Sequence, residues 1–283
     1  MALPTEPRPL CLITGASAGL GAALAREFAA HGWDLALTAR RADRLQALAE
    51  ELTAAHGVEA FAIPADLAKP GACDLILAAI AARGRVASGL VNNAGYGLSG
   101  PFAKVAWPDQ AAMLQVMLTA VVEMSHKLLP GMTERGFGRI LNVASLAGML
   151  PGSPGETLYT PIKAFVIRFS QTLHLEALDS GVHVTALCPG FTYTEFHDVN
   201  GSRGKIGRLT PKWLWLDAQT VAREGYEALE ANRPALITGA PNRLIAVIAR
   251  LTPEALSLSL AAWAQRKMGR RGKASAPGAG VAL

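Results

Sequence analysis

The stretch Leu10-Cys-Leu-Ile-Thr14-Gly15-Ala16-Ser17-Ala18-Gly19-Leu20-Gly21 decides the fold. A short apolar run enters a glycine-rich turn, and a helical pattern follows over Leu20–His31. Glycine lets the backbone turn tightly and approach a diphosphate closely, while the N–H groups that open a helix attract an anion. A glycine turn alone is weak evidence. Between a strand and a helix it points to dinucleotide binding, with a merely structural turn as the alternative.

Outward from this turn, short apolar runs alternate with longer helical patterns. Strands are expected at Leu10–Thr14, Leu35–Ala39, Ala60–Pro64, Gly89–Asn92, Arg139–Val143, His183–Leu187 and Ala235–Thr238. Continuous apolar runs suit parallel strands buried on both faces. Helices are expected at Leu20–His31, Arg41–His56, Gly71–Arg83, Pro108–Glu134, Thr157–Asp179 and Asp217–Ala231. The reading is α/β: a doubly wound (Rossmann), mostly parallel seven-stranded sheet with helices on both faces. Residues 1–241 form the catalytic domain and include a lid at 191–215. An amphipathic helical extension follows at 242–268, and the Gly/Ala/Ser/Lys-rich 269–283 reads as a disordered tail.

At the end of the second strand, Thr38-Ala39-Arg40-Arg41 carries no carboxylate to accept ribose hydroxyls. Two guanidiniums stand there instead, and their planar fork suits a 2′-phosphate. NADP is therefore expected over NAD, with Arg40 as the main contact and Arg41 beside it. Two solvated arginines opening a helix are the alternative. Further on, Ser145 follows the fifth strand, and Tyr159 and Lys163 share a helical face at i,i+4. An ammonium beside a phenol favours the phenolate and lowers its pKa, and a serine hydroxyl can steady a substrate oxygen.

Taken together these motifs resemble the classical short-chain dehydrogenase/reductase family over residues 9–240. The residues that carry the likeness are Thr14-Gly15-x-x-x-Gly19-x-Gly21, Asp66-Leu67, Asn92-Asn93-Ala94-Gly95, Ser145, Tyr159-x-x-x-Lys163 and Pro189-Gly190-x-Thr192-x-Thr194. The resemblance implies Ser145, Tyr159 and Lys163 as catalytic residues, with Lys163 also on the cofactor ribose. Gly15, Ser17, Ala18, Gly19, Leu20 and Gly21 would cradle the diphosphate. Asp66 and Leu67 would lie at the adenine, and Asn92, Ala94 and Gly95 along the adenosine ribose and pyrophosphate side. Pro189, Gly190, Thr192 and Thr194 would position the nicotinamide and phosphates. Likeness to the subgroup with an extended C-terminal segment rests on Thr194–His197 and Lys212–Trp215. A homodimer or homotetramer built through the helices at 108–134 and 157–179 is likewise implied.

Three features depart from the family pattern. Met117 stands where an asparagine usually holds a water that relays protons to the lysine; a thioether accepts only weakly and donates nothing. Ser145 and Tyr159 are one position further apart than usual, which suits an insertion in the Pro/Gly-rich loop 149–156. Pro161 lies inside the Tyr-x-x-x-Lys motif, so the helix is expected to begin near Glu156 or Thr157.

Composition fixes what remains. The 283 residues are 51% hydrophobic and 17% charged, which excludes general disorder. Cys11, Cys73 and Cys188 are scattered and support neither disulfides nor a metal site. The start of the chain lacks a signal-peptide pattern, and Ala111–Val122 falls short of the ~20 residues of a span, so a cytoplasmic protein is expected. A pI of 9.3 comes without a basic stripe interleaved with aromatics, so nucleic acid is not the expected partner. Glu195 with His197 and His183 read as polar surface or strand residues. Trp213 and Trp215 either line an apolar channel or anchor the lid. The helix at 244–263, with cations at 266–273, packs on the body, joins subunits or lies on a membrane surface.

The expected activity is hydride transfer between NADP(H) and a carbonyl or secondary alcohol of a hydrophobic or bulky small-molecule substrate, that is, an alcohol dehydrogenase or carbonyl reductase. A protein that binds NADP(H) without turnover, and an epimerase or dehydratase using the same cofactor, are the rivals.

Overall fold

The computed structural model describes residues 8–152, 154–193, 211–253, 255–259 and 261–263. Seven parallel strands form one sheet in the order β3-β2-β1-β4-β5-β6-β9. They are β1 Leu10–Thr14, β2 Asp34–Ala39, β3 Ala60–Pro64, β4 Ala87–Asn92, β5 Gly138–Val143, β6 Val182–Cys188 and β9 Ala235–Ile237. Strand pairing starts at Leu10↔Asp34 on one side of β1 and Leu10↔Ala87 on the other. β1 is buried throughout, because successive side chains feed opposite cores. Leu10 and Leu12 join one apolar cluster, and Cys11 and Ile13 join the other.

The first cluster packs under α3 Ala72–Ala81, α4 Trp107–Leu114, α5 Ala120–Glu134 and α6 Tyr159–Glu176. The second packs under α1 Gly19–Ala30, α2 Ala42–His56 and α7 Ala218–Glu230. The strand order reverses between β1 and β4, which opens a crevice at their carboxyl ends. All three cysteines are buried and free.

The expected helix 108–134 is three pieces: α4, a π-helical stretch at Gln115–Thr119, and α5 with Pro130 inside it. Apolar spacing does not distinguish i→i+4 from i→i+5 hydrogen bonding, so the sequence pattern ran through the bulge. Helix α6 starts at Tyr159, later than expected, so Pro161 is its third residue. At that position the proline nitrogen needs no intrahelical partner. The expected single C-terminal helix is also broken. α8 Ala240–Leu251 ends before Pro253, and helical turns within Ala255–Trp263 follow after a bend of 109°.

Two short strands, β7 Thr192–Tyr193 and β8 Leu216–Asp217, pair in parallel and hold the base of the expected lid. There Trp215 stacks on Tyr193 at 4.9 Å and lies 5.5 Å from Phe191. Thr194, Glu195, His197 and the stretch 269–283 lie outside the described residues.

Candidate active site

The glycine turn is built by what surrounds it. Gly15 has φ +67°, and its N–H donates to Thr38 O at 2.8 Å. A Cβ on Gly15 would stand 2.8 Å from Ala94 Cα, and one on Gly21 would run into the Gly15 carbonyl oxygen. Residues 93–94 are pinned to the turn through Thr14 Oγ1, which accepts from the N–H groups of Asn93 and Ala94 at 3.0 and 3.1 Å. Asn93 Nδ2 donates to Thr14 O at 2.9 Å. Asn93 is thus a positioning residue that spacing alone did not single out, although it stood inside the motif.

Helix α1 begins after Ala18 with no side-chain cap and no acid in its first turn. Its leading N–H groups are therefore left to an external acceptor. Arg41 Nε and a terminal nitrogen both donate to Ser17 Oγ at 3.2 Å, so this guanidinium spans from β2 to the glycine turn. Arg40 is exposed at the same strand end, and its charge lowers the Tyr96 hydroxyl pKa against the larger, opposing effect of burial. Arg41 rather than Arg40 is the one that touches the turn. Thr38 Oγ1 is buried there with no hydrogen-bond partner among the described residues. Glycines with no room for a Cβ, an uncapped helix start and paired guanidiniums fit a phosphorylated dinucleotide.

Several of the expected residues have partners of their own around this crevice. Asp66 Oδ1 accepts from Ala68 N–H at 3.1 Å and shapes the turn after β3, while Leu67 is buried in the first core. Asn92 turns inward: its Nδ2 donates to Asn142 Oδ1 at 2.8 Å, within a buried chain that continues from Asn142 to Ser170 Oγ at 2.9 Å. The Asn92 side chain is thus committed to joining β4 and β5. Only its main chain remains for a ligand. The physical reason is strand alternation, which aims neighbouring Asn92 and Asn93 apart.

On the far side, Ser145 follows β5 and its Oγ accepts from Ala147 N–H at 3.1 Å, capping a 3₁₀ turn at Leu146–Met149. Leu146 N–H donates to Pro189 O at 2.9 Å, tying the serine turn to the segment after β6. Gly190 abuts Asn242 at the start of α8, and Thr192 Oγ1 donates to Gly190 O at 3.2 Å. Tyr159 hydrogen-bonds the Ser145 side chain. Lys163 is 6% exposed; its Nζ donates to Val143 O at 2.7 Å and lies 5.7 Å from the Tyr159 ring centroid. Ser145, Tyr159 and Lys163 therefore converge.

The electrostatics differ from the expectation. Burial pushes the Tyr159 phenol up to about 12, with the Ser145 hydrogen bond pulling it down and Glu156 adding to the rise. Burial brings the Lys163 ammonium down to about 8, opposed by the neighbouring Cys188. Burial outweighs the other influences on the phenol, while Lys163, although its own pKa is lowered, still carries its charge at neutral pH. Met117 is 1% exposed, and its Sδ accepts from Tyr96 N–H at 3.5 Å beneath Gly95.

Among known proteins, the family model described as short chain dehydrogenase matches residues 10–203. A sulfoacetaldehyde reductase of Chromohalobacter salexigens is 41% identical over 186 residues, 65% of this chain and 72% of the relative. An NADP-dependent 3-hydroxy acid dehydrogenase of Salmonella typhi is 36% identical over 203 residues, 70% of this chain and 80% of the relative. The solved structure of a short-chain dehydrogenase from Sphingobium yanoikuyae in complex with NADPH superposes with a TM-score of 0.73 and 30% identity, over 97% of this chain and 98% of that one. Sequence and fold agree, and this chain belongs to the short-chain dehydrogenase family of oxidoreductases.

Proposed function

We propose that this protein reduces a carbonyl group, or oxidises the matching secondary alcohol, with NADP(H) as its preferred cofactor and Ser145, Tyr159 and Lys163 as its catalytic residues. The observation that carries the reading is the Ser145–Tyr159 hydrogen bond, with Lys163 Nζ over the same ring. The dinucleotide, when bound, supplies or accepts the hydride. For the rest, Tyr159, neutral over the working pH range, gives its proton to the substrate oxygen in reduction. Ser145 donates a second hydrogen bond to that oxygen as charge develops on it. Lys163 holds a positive charge beneath the ring and reaches the ribose. Gly15–Gly21, Ala94, Gly95 and the Pro189–Thr194 segment hold the cofactor, and Arg40, Arg41 and Ser17 hold its 2′-phosphate. The aromatic stack of Phe191, Tyr193 and Trp215 at the lid base favours a hydrophobic substrate. Dimers or tetramers assemble through the α4–α5 stretch and α6. NADPH consumption at 340 nm over a panel of ketones and aldehydes, with NADH in parallel, tests the whole; no turnover with any carbonyl refutes it.

Lys163 sets the pH dependence. Its pKa in the protein lies below the usual lysine value, so the ammonium is present below about pH 8 and is lost above it. The kcat/KM for carbonyl reduction is expected to fall about tenfold per pH unit beyond that point, and Tyr159 adds no limb of its own. A profile that stays flat from about pH 7 to 9.5 contradicts the assignment.

The buried thioether at 117 favours a second reading, in which the cofactor binds and turnover is slow. Met117→Asn would restore a group able to hold water near the lysine and is expected to raise kcat by roughly an order of magnitude. It should also lower Tm, since a buried amide without full partners costs about 1–3 kcal/mol. Unchanged kcat with normal cofactor binding means the relay does not limit this enzyme.

A further inference from the structure

We propose that Asn242 is a positioning residue for the nicotinamide half of the cofactor and that it acts through Gly190. The inference rests on the cofactor reading above. It adds a residue from the C-terminal segment, beyond the stretch 10–203 that the family model matches. Asn242 is the third residue of α8 and is 1% exposed. Its amide abuts the Gly190 main chain: a Cβ on Gly190 would run into Nδ2 and stand 2.7 Å from Oδ1. Nδ2 donates to Thr238 O at 2.9 Å, and because a carbonyl only accepts, this bond fixes which end of the amide is Oδ1. Thr238 N–H in turn donates to Cys188 O at 3.4 Å, at the end of β6. Leu146 N–H donates to Pro189 O at 2.9 Å. Residues 188–190 are therefore held from the end of β9, from α8 and from the turn that follows Ser145.

Packing alone does not account for an amide here. Asn242 Oδ1 and Thr238 Oγ1 are both buried with no hydrogen-bond partner among the described residues. An unpaired buried acceptor is costly, and a leucine of similar volume would fill the same space without it. What a leucine lacks is the donor that ties the side chain to Thr238 O. Gly190 has no side chain to anchor it, so the tied amide sets where its main chain stands. The other end of the crevice is remote from this support. β2, which leads into Arg40 and Arg41, lies four strand spacings from β6, roughly 19 Å across the sheet. Loosening Gly190 should therefore misplace the nicotinamide and leave the adenosine half in its seat.

The test is titration calorimetry on the full chain with two ligands, NADPH and adenosine 2′,5′-bisphosphate, which carries the 2′-phosphate but no nicotinamide. Asn242→Ala and Asn242→Leu are each expected to weaken NADPH about tenfold and to leave the bisphosphate within about twofold of wild type. At saturating NADPH, kcat should fall about tenfold or more, because hydride transfer demands close alignment of the reacting atoms. Gly190→Ala drives a methyl group into the same amide and should give the same split. Adding Asn242→Ala to it vacates the space and should restore part of the lost NADPH affinity. Unchanged NADPH affinity in both Asn242 variants overturns the inference, as does an equal loss for both ligands, which would be a general loss of structure. A double variant no better than Gly190→Ala alone also overturns it. Wild-type protein that fails to bind one or both ligands removes the cofactor reading itself, and the inference with it.

Discussion

Tyr159→Phe is expected to lower kcat for carbonyl reduction by about 10³-fold or more, with the NADPH dissociation constant changed by no more than about threefold. The ring keeps its place in α6, because its packing and the Lys163 Nζ above it do not depend on the hydroxyl. What disappears is the one proton donor that hydrogen-bonds Ser145 and stays neutral at physiological pH. Ser145 then lacks its partner but retains Ala147 N–H, so its turn should hold. The loss belongs to the chemical step, since a group that acts only as the proton leaves contributes little to ground-state binding. Stopped-flow hydride transfer and fluorescence titration of NADPH separate the two. Retention of more than about a tenth of wild-type kcat would remove Tyr159 from the mechanism and leave the glycine turn as a binding site in search of an activity.

Much of this was legible because strands buried on both faces announce themselves as apolar runs. β1, buried throughout, falls on the residues that the pattern marks, as does the edge strand β3 with its alternate residues buried, and the glycine turn follows from Gly15 and Gly21 having no room for a side chain. What was hidden depends on neighbours distant in the chain. Asn92 and Asn93 are adjacent letters, yet one bonds Asn142 within the sheet and the other bonds Thr14 at the turn. The pKa values ran against the i,i+4 argument because spacing conveys proximity but not solvation, and solvation dominates at both Tyr159 and Lys163. Asn242, which packs against Gly190 from the C-terminal segment, carried no local signal at all.

Removing both guanidiniums at the end of β2 should reverse cofactor choice. Arg40→Ala with Arg41→Ala is expected to raise KM for NADPH by about 10²–10³-fold and to change KM for NADH by less than about threefold. Each charge-assisted hydrogen bond to a phosphate is worth about 1.5–3 kcal/mol, and no carboxylate stands by to hold the ribose of NADH more tightly once the cations are gone. The two arginines should not contribute equally. Arg41 is already turned onto Ser17 Oγ, so it enters the complex with less rotamer freedom to lose, and Arg41→Ala alone should carry the larger share. Arg40 is exposed and must be ordered by the phosphate, which makes its contribution the more salt-sensitive of the two. Measuring KM for both cofactors at low and high ionic strength in the two single variants reads out that division. If the double variant still prefers NADPH by the wild-type ratio, the 2′-phosphate is held elsewhere and the absence of an acid after Ala39 carries no information about the cofactor.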